Sequence, residues 1–90
     1  MALNVDAILV TGTGAISVRL CDLSRSGAAL NALVAPPPNA DVTLCFHGRS
    51  LAARVAWRSG PRFGLTFSQR MRATDVFISC ARSQQPPRLY

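Results

Sequence analysis

The apolar residues of this chain recur mostly at every second position, the period of a strand with one buried face. In "AISVRLC" (15–21), Ile16, Val18 and Leu20 fall on one side, and Ser17, Arg19 and Cys21 on the other. "VTLCFH" (42–47) repeats the pattern with Val42, Leu44 and Phe46, and "RFGLTF" (62–67) with Phe63, Leu65 and Phe67. "LAARVAWR" (51–58) sends Leu51, Ala53, Val55 and Trp57 inward, so Trp57 is expected in the core and Arg54 and Arg58 outside. "NVDAILVT" (4–11) is a strand of mixed phase, and "AALNALV" (28–34) alternates weakly. His47 is expected as a surface residue at the end of its strand.

Turn signals separate these runs: "TGTG" (11–14), "GRS" (48–50) and "SGP" (59–61). "APPPNAD" (35–41) cannot donate a regular ladder of hydrogen bonds and is read as a loop. Short strands every eight to twelve residues predict an all-β fold, six antiparallel strands closed into a small barrel. After Phe67 the alternation stops. Ser68 is a suitable helix N-cap, and Met71, Phe77, Ile78 and Ala81 lie at helical spacing, which predicts a C-terminal helix over 68–83. Residues 1–83 are expected to form one domain, and the polar, proline-containing 84–90 a flexible tail.

Composition narrows the function. Ninety residues make one domain. Its core is thin, because a chain this short buries only about 60% of its unfolded surface. The net charge is +6, and every basic residue is Arg and every acidic one Asp. That balance favours anionic partners, and Arg offers flat bidentate donors to phosphate and guanine. The same composition is also what a GC-rich genome writes for ordinary surface charge. Cys21, Cys45 and Cys80 form no CxxC pair and leave one thiol over in any disulfide scheme, as in a reducing cytoplasm. Their spacing with the single His47 matches no zinc pattern. No stretch approaches eighteen apolar residues, and the N-terminus lacks the features of a signal peptide, so a cytoplasmic protein without membrane insertion is expected.

Catalysis requires a nucleophile with its base, paired carboxylates or a metal site, and none is visible, so no enzyme and no cofactor are expected. Asp22 and Asp41 are read as loop residues of the Asx-turn type. One stretch is richer. "DLSRSG" (22–27) sets Asp22, Ser24, Arg25, Ser26 and Gly27 in six positions. Asp and Ser side chains can fold back on such a turn, and Gly27 permits a positive φ or a close backbone approach. Backbone N–H groups and hydroxyls then face outward toward an anion. A strand bearing Arg19 precedes the turn, and "VAWRSGPRFGLTF" (55–67) follows downstream.

In these residues the chain resembles the PilZ domain family, bacterial receptors for cyclic di-GMP. The resemblance runs from about Ile16 to Phe67. The family's [DN]xSxxG motif corresponds to Asp22, Ser24 and Gly27, and its VxWrxgxxxGlxF hairpin to Val55 through Phe67. It implies a six-stranded antiparallel barrel with a C-terminal helix, and cyclic di-GMP as ligand on the barrel's outer face at Asp22, Ser24 and Gly27. Ser26 lies in the same turn, and Arg19 and Arg25 flank it; these two, with Arg54, Arg58 and Arg62 on the outward face, are the candidates to supply further contacts. An effector protein would receive the signal.

The family's second ligand motif, RxxxR, would fall at or before Met1, and residues 1–18 contain no arginine. Each bidentate Arg–guanine pair contributes about 1–3 kcal/mol by analogy with DNA reading, so two missing pairs weaken binding by ~2–6 kcal/mol. Three functions are therefore weighed: a cyclic di-GMP receptor module, an adaptor that binds a protein without nucleotide, and a basic barrel that binds nucleic acid. The predicted outward faces lack the interleaved aromatics that stack bases, which argues against the third.

Overall fold

A computed structural model describes residues 2–72. Six strands form a closed antiparallel barrel: β1 (Ala2–Thr11), β2 (Gly14–Leu23), β3 (Gly27–Asn31), β4 (Asp41–Phe46), β5 (Arg49–Ser59) and β6 (Arg62–Phe67). The order around the ring is β1-β2-β3-β6-β5-β4, so each strand has two hydrogen-bonded neighbours. Leu9, Leu20, Leu23, Leu30, Leu44, Val55 and Phe63 fill the interior at under 2% exposure, leaving a packed core and no channel.

The expected barrel forms, with differences that have local causes. The mixed phase of β1 resolves: Ala7 and Leu9 point in, while Ile8 and Val10 lie outside, half exposed. β3 stops at Asn31, and residues 32–40 form the long connection to β4, in which Ala32, Ala35 and Pro36 are nevertheless buried. Asp41 is the first residue of β4, where its carboxylate accepts from Arg54 Nε on β5 at 3.2 Å. The β4–β5 turn is His47–Gly48, since both residues take positive φ (48° and 73°) between the paired Phe46 and Arg49. His47 thus belongs to the turn rather than the strand. Gly60 (φ 60°) and Pro61 link β5 to β6 as a two-residue turn, with glycine at the first central position as a type II′ turn requires.

Two corrections concern the phase of a strand. Between Leu20 and Asp22 the pairing of β2 with β3 slips by one residue, and between Val55 and Trp57 the pairing of β5 with β6 does the same. Each slip is a β-bulge, an extra residue that turns the following side chain to the opposite face. Strict alternation after Leu20 and Val55 would send Asp22 and Trp57 into the core. The bulges turn both outward, and Trp57 is 44% exposed. Arg58 consequently stands opposite the inward-pointing Phe63, on the other side of the pleat from Arg54, at the exposed end of the barrel.

Beyond β6, residues 68–72 are not helical; the Ser68 N–H donates to the Ala52 carbonyl at 2.9 Å, which extends the pairing with β5 by one more bond. The remainder of the expected helix, 73–83, and the tail lie outside the described residues.

Candidate functional site

Asp22 is on β2 rather than in the turn that follows, and the bulge before it sets its side chain on the outer face. The turn itself is Ser24–Arg25–Ser26. The Ser24 N–H donates to the Gly27 carbonyl at 2.9 Å, and the Ser24 hydroxyl donates to the same carbonyl and accepts from the Gly27 N–H, both at 3.2 Å. This serine therefore closes the loop on itself, as the short polar residue of a tight turn does. Its hydroxyl is 3.5 Å from that of Ser26.

Gly27 serves close approach. It is absent from the positive-φ glycines, and a Cβ there would overlap the Leu65 carbonyl oxygen of β6. Asp22, Leu23, Ser24, Gly27, Ala28 and Ala29 line one open depression of about 230 Å³.

All three predicted site residues that carry charge, Asp22, Arg25 and Arg19, have partners within the protein. Arg25 Nε donates to the Met71 carbonyl at 3.1 Å, and the Met71 N–H donates back to the Arg25 carbonyl at 2.7 Å. The Ser26 carbonyl accepts from the Phe67 N–H at 2.8 Å. The turn is thus tied to residues 67–71, whose Met71 side chain is buried. Arg19, further along β2, donates to Asn4 Oδ1 at 2.9 Å and pairs with Asp6 at 3.2 Å on β1. Asp22, Ser24 and Gly27 come together; Arg19 lies in the next outward row, opposite Asn31 and so across from Arg62, while Arg25 is turned to Met71 and the Ser26 carbonyl to the end of β6.

Register extends the site across the sheet. Asp22 pairs with Ala29, Ala29 with Gly64, and Gly64 with Trp57. Adjacent strands are about 4.8 Å apart, so this outward row spans roughly 14 Å. Its middle is floored by a methyl group and a hydrogen. One end carries a carboxylate, the other an indole. A Cβ on Gly64 would strike the Trp57 ring, which shows the indole lying directly over the glycine. The neighbouring row carries Arg62 between Asn31 and Ser59. With the indole covering the buried Gly64, the open part of the row is the Ala29 methyl between the Asp22 carboxylate and the outer face of the indole, with Arg62 alongside, which suits a planar, anionic ligand with hydrogen-bond donors on its edge.

Alternation sends Arg62 outward, as found, but it places Trp57 in the core and singles out neither Ala29 nor Gly64. The available signal was Gly64, a glycine in an otherwise regular strand, which marks a place where something lies close against the backbone. Among the described residues no His/Cys/Asp cluster could hold a metal ion, and no helix is long and apolar enough to cross a membrane. Cys21 and Cys45 are free thiols.

Comparison with family models matches residues 1–80 to the PilZ domain. No curated protein and no solved structure matches the chain.

Proposed function

The chain belongs to the PilZ domain family, and we propose that it is a binding module for cyclic di-GMP that passes the signal on by protein contact. The observation carrying this reading is the convergence of Asp22, Ser24 and Gly27 on one depression, continuous with the row that ends at Trp57. Asp22 accepts from the N–H edge of guanine, and Trp57 offers its exposed face to a base. Arg62, beside the small-residue floor, meets a phosphate.

Arg25 supplies the relay. A phosphate at the turn competes with the Met71 carbonyl for its guanidinium, because a charge-assisted bond to an anion is the stronger of the two. Loss of that contact loosens the segment after β6, where a partner protein reads the change.

The test is calorimetric titration with cyclic di-GMP at low salt, with Trp57 fluorescence followed in parallel. Binding with quenching is expected, and Asp22→Ala should weaken it by about tenfold or more, the value of one bidentate pair. Absence of both heat and quenching at high micromolar ligand would overturn the reading.

A second reading is an adaptor that binds a protein without nucleotide. It is favoured by the intramolecular engagement of Arg19 and Arg25. A partner recovered equally with and without cyclic di-GMP, and lost on Arg25→Ala, would support it.

A further inference from the structure

The row beside the ligand floor carries three hydrogen-bond donors side by side. Asn31 pairs with Arg62 and Arg62 with Ser59, so an amide, a guanidinium and a hydroxyl share one outward line across β3, β6 and β5. All three residues are exposed. Directly opposed side chains on adjacent strands have Cβ atoms about 5 Å apart, close enough for the three to reach one small group.

Two observations set this row apart from the surface around it. The first is that its donors are unengaged. Arg19, Arg25 and Arg54 each donate to oxygens of the protein, on Asn4 and Asp6, on Met71 and on Asp41. The side chains of Asn31, Arg62 and Ser59 have no hydrogen-bond or ion-pair partner among the described residues. The second is alignment. Asn31 is two residues beyond Ala29, Arg62 two before Gly64 and Ser59 two beyond Trp57. Each donor therefore stands about 7 Å along its strand from a member of the row that ends at the indole. The two rows run parallel at one offset.

We infer that Asn31, Arg62 and Ser59 form a phosphodiester subsite, which holds one phosphate of the ligand while the attached guanine lies on Ala29 against the indole. This rests on the proposal that the face takes cyclic di-GMP, and adds to it the orientation of the ligand. A phosphodiester has two non-bridging oxygens. The Arg62 fork donates to both, and the Asn31 amide and the Ser59 hydroxyl donate from the strands on either side. The ribose bridges the offset between the rows, as it joins base to phosphate in any nucleotide. The unit recognised is thus one guanylate half of the ligand, and the other phosphate is left on the side of the Ser24–Ser26 turn.

The test extends the calorimetric titration with cyclic di-GMP, with Trp57 fluorescence in parallel, to three variants. Arg62→Ala should raise the dissociation constant at least about tenfold. Asn31→Ala and Ser59→Ala should raise it about three- to tenfold each, since water replaces part of an exposed bond. Arg58→Ala removes the same charge from the same hairpin on the other side of the pleat and should stay within about twofold. The ³¹P resonance of the ligand should move on binding the wild-type chain. With Arg62→Ala it should keep most of its free position at concentrations that still quench Trp57. Wild-type binding that Asn31→Ala and Ser59→Ala leave unchanged, or that Arg58→Ala weakens as much as Arg62→Ala, overturns the subsite and leaves the ligand reading standing. A wild-type chain that gives neither heat nor quenching overturns both. Unchanged melting temperatures in all four variants establish that the losses belong to the ligand contact.

Discussion

Two glycines show how much of the surface depends on single atoms. At Gly27 an added Cβ meets backbone, the Leu65 carbonyl, which cannot rotate away; at Gly64 it meets the Trp57 side chain, which can. Gly27→Ala should therefore destabilise by about 1–3 kcal/mol, as overpacking does. Gly64→Ala should cost less and instead displace the indole. Denaturant titration measures the first effect. Trp57 is the only tryptophan, so increased acrylamide quenching of fluorescence reports the second. If the two variants were equally destabilised with no change in quenching, the indole would not be resting on Gly64. His47 is another residue whose position only the folded turn reveals, since a left-handed histidine has no signature in hydrophobic periodicity.

Among the elements, strand identity and strand phase separated in how far they could be read. The alternation of β4 and β6 was sufficient, because each is short and takes in no extra residue of its own. In β2 and β5 the count of inward positions ran true only as far as Leu20 and Val55, where an extra residue enters. Nothing local in "CD" or "AW" announces a bulge; it follows from matching two strands of unequal length around a closed ring. That is why Asp22 was expected in a loop and Trp57 in the core, while Ser24 and Gly27, which depend on turn chemistry, were recognisable from their types.

The resolved phase of β1 makes its own prediction. Leu9→Ala should cost about 2–5 kcal/mol, a large part of the 5–10 kcal/mol or so available to a domain of this size. Val10→Ala, on the outer face, should stay within about 0.5 kcal/mol. Equal losses in chemical denaturation would mean that β1 presents the wrong face to the core.

For the molecule as a whole, net charge acts on the proposed ligand contact at long range. Raising ionic strength from about 0.01 to about 0.15 M shortens the Debye length from ~30 to ~8 Å. Attraction of a dianionic ligand to a +6 protein is thereby screened, so cyclic di-GMP should bind several-fold more weakly. Calorimetry at the two salt concentrations measures the effect; binding indifferent to salt would show that the contact is not to the ligand's phosphates.

The two bulges also divide the ligand face mechanically. β3 and β6 pair without interruption from Gly27–Thr66 to Asn31–Arg62, a stiff floor. The strands on either side, β2 and β5, each carry their irregularity just ahead of the residue that walls the site, Asp22 and Trp57. An irregular ladder yields more readily than a regular one, so any give in the proposed ligand face falls to its two walls and not to its floor: a vice with a fixed bed and two jaws, set over a packed core.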